Sequence, residues 1–526
     1  MRFQELVGDR VPSAKFRRPD ISYSVAICPI FVFAALDFDL NRAQGERLEG
    51  RLQNKQCEYG FSNWKSHDLR KLTGNPVETS EILPQKKPAT PSRTVFKENT
   101  ALFFWCSLYT TSILGIYIYG REFSWYFYFG NYFTYDRSLL SIAAANAYCI
   151  VLPMLYAFLR RVTRDLFSFL LAPIVVIGGV AGSIVTSFAD LQWWLLITSL
   201  YILTPLCFSY LSLPAVRISK RNATYNPTNS LLLTGSIATT FYIYLLIKYR
   251  SMLSLPTLNE VYEARYAFGA VVAGWEQYGI TISKYAGAFC LVGYAVQKRN
   301  PLALMPACFI YGVDYSLAGN RLSLGFLLLS CALYYWFGHR GKSFQVRTIP
   351  ATLSIVSAAP LLVMMIYPPW SLNVIGLWDR LFLVSSGLFA RYYDFANATQ
   401  FYWGGRGILG QIFGGVQKDY YAAVGEHYFG PMVSANADLI SDAYINFGMV
   451  GVFVALLILR LLISERDNRL YRQKQTLLTT LMIPYSFVLF STGLQTAMIT
   501  GGFLFGLLIL KSYPRQGSQP PEQADG

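Results

Sequence analysis

Basic, acidic and aromatic side chains are concentrated in one polar stretch of the sequence, residues 368–442, which lies between two long apolar runs. A guanidinium stays charged even beside lipid and can bind two phosphate oxygens at once. An imidazole or a carboxylate can take a proton from an attacking hydroxyl. The stretch therefore contains the residue types needed to bind an anion and to transfer a proton.

Two neighbouring residues of this stretch are candidates for the proton acceptor. His427 lies beside Glu426, within the glycine-flanked aromatic segment 425–430. We expect an extended loop here, in which adjacent side chains point to opposite sides. His427 and Glu426 are then alternative bases and not a pair, and Asp438 is a third candidate. The other interpretation of His427 is an ordinary surface histidine.

Polar side chains continue from the end of the stretch into the next apolar run. Asn436 and Asp438 precede that run, while Asp442 and Asn446 fall on one face of the predicted helix because they are four residues apart. Such a stripe can hydrogen-bond the hydroxyl groups of a sugar. For Asp438 and Asp442 the alternative is a helix N-terminal cap, where the dipole favours acidic side chains.

The rest of the sequence predicts an all-α, polytopic membrane protein. The chain has 526 residues, of which 53% are hydrophobic and only 14% are charged, and its mean hydropathy is +0.33. This composition is too apolar for a soluble protein of that length. Apolar runs long enough to cross a hydrocarbon core predict about twelve spans. They lie near 101–119, 139–159, 167–187, 191–211, 230–247, 280–296, 302–318, 324–338, 349–367, 443–464, 477–491 and 497–510.

Clusters of Lys and Arg predict which side of the membrane each connection faces. The clusters fall on one side, which the positive-inside rule makes the cytoplasm, together with both termini. They account for the net charge of +15, so nucleic acid is not an expected partner. The clusters lie at 160–164, 217–221, 298–299, 340–342, 466–474 and 511–515.

Four arginines fall on the opposite side, where the rule predicts few: Arg265, Arg321, Arg380 and Arg391. Their positions near span ends suit a ligand with a diphosphate group. The alternative for each of them is that it reaches the interface or pairs with a neighbouring acid such as Glu263.

The predicted spans also set the domain boundaries. Residues 1–100 are expected to form a cytoplasmic region with a partly disordered linker and one marginal apolar segment, 21–36, which either spans or lies on the surface. The remaining regions are a transmembrane bundle (101–367), a large outer loop (368–442), carboxy-terminal spans (443–511) and a disordered tail (512–526). No metal or cofactor is expected, because the eight Cys are scattered and only three His occur.

Short motifs occur in a fixed order along the chain. They are Tyr262-Glu263-Ala264-Arg265, Gly319-Asn320-Arg321-Leu322-Ser323, Asp379-Arg380-Leu381-Phe382, Tyr392-Tyr393-Asp394-Phe395, Ala435-Asn436-Ala437-Asp438 and Asn446-Phe447-Gly448-Met449-Val450-Gly451. This series, which covers about residues 97–510, resembles the oligosaccharide repeat unit polymerases, the Wzy-type polymerases of bacterial O-antigen and capsular polysaccharide.

The resemblance implies a GT-C-type glycosyltransferase of the bacterial inner membrane, with a large periplasmic loop. Glycan units linked to undecaprenyl diphosphate would be both donor and acceptor, and a flippase and a chain-length regulator are expected partners besides membrane lipid. The loop holding His427 would be catalytic. The candidates for binding the substrate are Arg265, Arg321, Arg380, Arg391, Tyr393, Asn436, Asp442 and Asn446.

Two other functions use the same kind of substrate. A ligase that transfers the glycan to lipid A core or to a protein would share the arginines and the loop. A flippase or transporter predicts charged residues buried in the middle of the spans and two similar halves. The predicted spans are nearly free of charge, with Lys284 as the main exception, which favours the polymerase.

Overall fold

The computed structural model describes residues 93–120, 148–187, 191–211, 227–256, 260–366, 384–398, 420–429, 435–499 and 501–512. The chain divides into two units, Met1–Pro88 and Ala89–Gly526, and every described residue belongs to the second. These ranges are helical and contain no strand. The predicted all-α class is therefore confirmed for them.

Several predictions fall outside the described residues. They concern the amino-terminal region up to residue 92, with its apolar segment 21–36, the position of Arg380 and the tail after residue 512.

Twenty α-helices make up the described part of the chain. They are α1 (Arg93–Gly120), α2 (Tyr148–Val162), α3 (Leu166–Leu170), α4 (Val180–Thr186), α5 (Leu191–Thr198), α6 (Thr204–Tyr210), α7 (Pro227–Lys248), α8 (Val261–Val271), α9 (Gly274–Ile282), α10 (Ala288–Lys298), α11 (Met305–Ala318), α12 (Arg321–Leu333), α13 (Thr348–Ile366), α14 (Val384–Ala398), α15 (Tyr420–Phe429), α16 (Leu439–Leu462), α17 (Glu465–Gln473), α18 (Gln475–Ser491), α19 (Leu494–Met498) and α20 (Phe503–Ser512). Wider π turns occupy Ile174–Gly179, Ser199–Leu203, Ser283–Gly287 and Tyr334–His339, and 3₁₀ turns occupy Arg250–Met252 and Pro301–Leu304.

Six helical segments in these ranges are long and apolar enough to cross a membrane. Each coincides with a predicted span, so the membrane character of the chain is confirmed. They are Leu191–Tyr210, Thr228–Lys248, Gly274–Lys298, Pro301–Ala318, Leu322–His339 and Leu439–Leu462.

The predicted span 101–119 lies within the continuous helix α1, which is not among these six segments, while the described parts of the other predicted spans are helical in shorter or interrupted pieces. Predicted spans 349–367 and 477–491 correspond to the shorter apolar helices α13 and α18. The predicted span 497–510 is not continuous, because α19 ends at Met498 and α20 begins at Phe503. Gly502 between them has a φ of +71°, a left-handed conformation that interrupts a right-handed helix and that glycine adopts most easily.

A buried ion pair lies in the middle of the helices that follow α6. Lys284 is on the π turn Ser283–Gly287, and its Nζ is 3.3 Å from Oδ2 of Asp314 on α11. Tyr242 of α7 donates a hydrogen bond of 3.1 Å to Oδ1 of Asp314, and the hydroxyl of Ser323 on α12 donates to Oδ2. Lys284, the main exception to spans nearly free of charge, is thus paired with a second buried charge, Asp314 of the predicted span 302–318.

A second buried ion pair fixes the far end of α16. Arg460, in the last turn of that helix, lies 2.9 Å from Asp165, which caps α3, and its Nε donates to the carbonyl of Leu211 at 2.9 Å. Asn468 of α17 accepts a hydrogen bond of 3.0 Å from the backbone N–H of Leu166. α16 is thus tied to α3, α6 and α17 at the end opposite to Asp438.

Removing Lys284 alone should destabilise the protein, because it leaves the Asp314 carboxylate buried without its cation. We expect Lys284→Met to lower the free energy of unfolding by about 3–5 kcal/mol. Adding Asp314→Asn should recover most of that loss, since the amide carries no charge, its oxygen can accept from one of the two hydroxyls and its NH2 group can donate to the other. The measurement is the melting temperature of the purified protein in detergent.

The control is the exposed pair of Arg472 and Glu465, whose atoms are 2.9 Å apart with side chains about half accessible. Glu465→Gln should change the free energy of unfolding by less than about 1 kcal/mol. A Lys284→Met/Asp314→Asn protein as unstable as Lys284→Met would contradict this account of the pair.

Candidate active site

Two helices, α14 and α15, and the segment 435–442 form the described part of the predicted loop. Neither Val384–Ala398 nor Tyr420–Phe429 contains a proline, so both can keep their backbone hydrogen bonds. The expectation of an extended loop around His427 was therefore wrong. On a helix, adjacent side chains are separated by about 100°, and His427 and Glu426 are both exposed near the end of α15.

Asp438 joins this region to α16 as its N-terminal cap. Its side chain accepts a hydrogen bond of 2.7 Å from the backbone N–H of Ser441, which confirms the cap interpretation. The hydroxyl of Tyr201 donates to the other carboxylate oxygen at 2.8 Å. Burial raises the pKa of Asp438 to about 6, although these hydrogen bonds act in the opposite direction.

Asp442 lies one turn further along α16 and is also buried. Tyr420 and Tyr421, the first two residues of α15, both donate hydrogen bonds to its Oδ1. Nδ2 of Asn446 donates to the carbonyl of Asp442 at 2.7 Å. Asp442 and Asn446 are thus on one face, as predicted, but that face is buried, and Asp442 holds α15 against α16.

Gly493 allows the Asp442 carboxylate to fit beside the turn before α19. A Cβ atom at Gly493 would lie 1.9 Å from Cγ of Asp442, which is far inside van der Waals contact. The backbone N–H of Gly493 also donates to the hydroxyl of Tyr421 at 3.1 Å. Only glycine permits this approach, so Gly493 is part of the structure that holds Asp442.

α14 brings Arg391 and an aromatic group to the same place. The guanidinium of Arg391 lies 4.8 Å from the ring centre of Tyr428 on α15, a cation–π contact, and the residue is buried. Tyr392 donates to the carbonyl of Ala435. The ring of Tyr393 lies 5.2 Å from Trp193 and 5.4 Å from Tyr444. α14 therefore packs on α16 through Tyr393 and presents Arg391 to α15.

His427 is connected to Arg391 through one aromatic ring. The imidazole is 4.6 Å from the ring of Tyr428 and 5.5 Å from that of Phe395, both edge-on. Tyr428 thus has Arg391 over its ring, and the His427 ring lies perpendicular to it. Asn436 is exposed between the buried residues Ala435 and Ala437. We call Arg391, Tyr393, His427, Asp438 and Asp442 the loop cluster, because contacts among α14, α15 and α16 join them.

Arg265 and Arg321 lie on other helices. Arg265 is exposed on α8, which packs on α11. Arg321 is the first residue of α12, where Asn320 caps the helix by accepting from the N–H of Leu322 at 3.2 Å. This end of α12 is close in sequence to Ser323, which binds Asp314. The two arginines thus belong to the helices around the Lys284 ion pair, and among the described parts of the chain Arg391 is the predicted arginine that lies in the loop cluster.

Several residues of the site were not predicted from the sequence. Tyr201 lies within an apolar run and gives no pattern that distinguishes it from an ordinary core tyrosine. Tyr421 and Gly493 matter only because of Asp442, which is distant in the sequence. Asp314 could have been noticed, because a lone carboxylate within an apolar run marks a functional or paired position.

No protein-family model, no curated protein and no solved structure matches this chain. The motif resemblance and the geometry of the loop cluster are therefore the two grounds on which a function can be proposed.

Gly493→Ala should disrupt the contact with Asp442. Since the new methyl group would overlap the carboxylate, we expect the free energy of unfolding to fall by about 1–3 kcal/mol, and the hydrogen bonds from Tyr420 and Tyr421 to weaken. Gly312→Ala is the matched control, because a Cβ there meets nothing within 4 Å. Equal melting temperatures for the two variants would refute the proposed packing.

The raised pKa of Asp438 gives a pH dependence of stability. The folded protein binds this proton more tightly than the unfolded chain, whose carboxyl has an ordinary pKa near 3.8. The contribution of Asp438 is therefore most favourable below about pH 4 and is lost as the pH rises to about 6.

Asp438→Asn keeps the cap and cannot ionise. We expect the melting temperature of the native protein to fall, relative to that of this variant, as the pH rises from 4 to 6, and the difference to stay constant above pH 7. A difference that does not change with pH would show that Asp438 has an ordinary pKa.

Proposed function

We propose that the protein polymerises undecaprenyl-diphosphate-linked oligosaccharide units into a surface polysaccharide on the periplasmic face of the bacterial inner membrane. The observation that carries the proposal is the loop cluster. It combines a buried arginine, an exposed histidine and two buried carboxylates at the start of a membrane-spanning helix. In this proposal the chain is a GT-C-type glycosyltransferase with about twelve spans and both termini in the cytoplasm.

Arg391 is suited to bind the diphosphate of the donor. A glycosyl diphosphate releases a leaving group that needs charge stabilisation and no protonation, and a guanidinium held in place can supply this. Tyr428 holds the Arg391 guanidinium from one side. Arg380 is the other arginine of the loop that we assign to the donor. Arg265 and Arg321, on separate helices, are candidates for binding the second lipid-linked unit.

The reaction then needs a base for the acceptor hydroxyl. The acceptor oxygen attacks the anomeric carbon, the bond from that carbon to the diphosphate oxygen breaks, the lipid diphosphate leaves and the base takes the proton. Asp438 is a weaker candidate than the sequence suggested, because its two carboxylate oxygens already accept from Ser441 and Tyr201. We propose that exposed His427 is the base that accepts the proton, with Glu426 as the alternative. Asp438 is then a positioning residue.

The acceptor sugar would lie against the aromatic and polar side chains beside the cluster. The rings of Tyr393 and Trp193 pack at a steep angle to each other, and aromatic rings provide flat apolar surfaces of the kind that suits a sugar face. Asn436 is exposed and has both a donor and an acceptor. Asp442 and Asn446 are buried, so we assign them to holding α15 and α16 together and no longer to direct contact with the glycan.

A second function has one specific observation in its favour. A flippase or transporter of lipid-linked sugar would use charges buried in the middle of its spans, and Lys284 and Asp314 are such a pair. Their interaction is complete within the protein, because Tyr242 and Ser323 also bind the carboxylate. The polymerase remains our proposal. A ligase would use the same loop cluster, and the product formed distinguishes a ligase from a polymerase.

Arg391→Ala should abolish polymer while leaving the protein in the membrane, because it removes a charge needed in the transition state. The assay is gel separation of surface glycan from cells that express only the variant, with single repeat units expected and long chains absent. Arg347→Ala is the control, since Arg347 is exposed and its Nε donates to Gln345, outside the loop cluster. Normal long chains with Arg391→Ala would reject the assignment.

Cells lacking the protein distinguish the three functions. A polymerase predicts surface glycan of one repeat unit. Loss of all attached glycan would identify a ligase instead, and accumulation of lipid-linked units in the cytoplasm would identify a flippase.

A further inference from the structure

A basic cavity lies at the end of α16 opposite to the loop cluster. Its volume is about 490 Å³, within the range of sites that bind small molecules. Five arginines line it, and they come from the end of α2, the turn after it, the last turn of α16 and α17: Arg160, Arg161, Arg164, Arg460 and Arg472. Segments about 300 residues apart in the sequence thus converge on one space.

Two of the arginines are neutralised by carboxylates that line the same cavity. Arg460 pairs with Asp165, and Arg472 pairs with Glu465, each at 2.9 Å. With five arginines and two carboxylates, the lining has a net charge of +3. The excess is carried by the three arginines near the end of α2.

These three arginines have no carboxylate partner within the described part of the chain. Arg160 donates to the side chain of Asn99. Arg161 donates to the carbonyl of Ser209 at 3.0 Å and lies 3.2 Å above the ring centre of Tyr210. The exposed guanidinium of Arg164 forms no hydrogen bond or ion pair with a side chain there. Their charges are therefore available to an anion in the cavity.

Membrane topology alone does not explain this arrangement. The positive-inside rule requires basic residues on one side of the membrane, and isolated exposed arginines satisfy it. Here the walls are fixed to one another by one buried and one exposed hydrogen bond. Tyr471 donates to the carbonyl of Val162 at 3.1 Å, and Nη1 of Arg472 donates to the carbonyl of Arg164 at 3.4 Å. The cavity is a built feature of the fold.

The cavity also lies where a lipid headgroup would be. α16 is a membrane-spanning helix that ends at Leu462, and α17 follows after two residues. Tyr156 and Tyr210 line the cavity, and tyrosines are typical of the membrane–water interface. Basic pockets between spans on the cytoplasmic side can bind phosphate headgroups of anionic lipids, and arginine matches phosphate geometry.

We propose that this cavity binds the phosphate headgroup of an anionic phospholipid through Arg160, Arg161 and Arg164. The bound headgroup would join the ends of α2, α6 and α16, which line or adjoin the cavity. The proposal is independent of the reaction at the loop cluster, because it depends only on the chemistry of the opposite end of α16.

The test uses the full-length protein purified in detergent and native mass spectrometry. The anionic lipid probes are cardiolipin and phosphatidylglycerol, and phosphatidylcholine is the zwitterionic control. Inorganic pyrophosphate is the soluble probe that carries phosphate groups without a lipid. We expect cardiolipin to stay bound where phosphatidylcholine does not. Arg160→Gln/Arg164→Gln should weaken cardiolipin binding at least about tenfold, since two charge-assisted hydrogen bonds are lost.

Arg469→Gln is the matched control, because Arg469 is an exposed arginine of α17 that does not line the cavity. It should leave binding unchanged, and circular dichroism should show that all variants are equally folded. An equal loss with Arg469→Gln would overturn the proposal, since binding would then follow general surface charge. Binding of pyrophosphate without binding of cardiolipin would overturn the lipid as the ligand.

Discussion

Tyrosine hydroxyls hold three buried carboxylates of the described structure, and the loop cluster depends on two of these interactions. Asp438 is bound by Tyr201, Asp442 by Tyr420 and Tyr421, and Asp314 by Tyr242. A carboxylate away from water is costly unless its oxygens accept hydrogen bonds. A tyrosine can supply the donor while its ring packs in the apolar core. The positions of α14, α15 and α16 follow from where these donors and acceptors meet.

α16 connects the two ends of the described structure. Its first turn is capped by Asp438 beside the loop cluster, and its last turn contains Arg460 beside the basic cavity. The helix is interrupted between them, because Gly448 has a φ of +60°. The amino-terminal half of α16 therefore packs with the loop cluster, while its carboxy-terminal half is anchored at the basic cavity. A glycine at that break allows each half to keep its own packing.

The sequence predicted local features better than the contacts between distant segments. The cap at Asp438 and the shared face of Asp442 and Asn446 were correct, since both depend on spacing within a few residues. The predicted extended loop around His427 was wrong. The glycines that flank this segment favoured a loop in the prediction, whereas the backbone is helical from Tyr420 to Phe429. The need for Gly493 could not be predicted, because it comes from a carboxylate fifty residues earlier in the chain.

The buried charges separate a structural role from a chemical one. Lys284 and Asp314 satisfy each other within the spans, and further hydrogen bonds complete the group, so the pair can hold four helices together without a substrate. Arg391 differs, since its contacts in the loop cluster include the face of the Tyr428 ring, and a guanidinium is suited to bidentate binding of phosphate oxygens. His427 is exposed beside that same ring. The loop cluster is thus the place where a charged ligand and a proton acceptor can meet, whereas the ion pair in the spans is already complete.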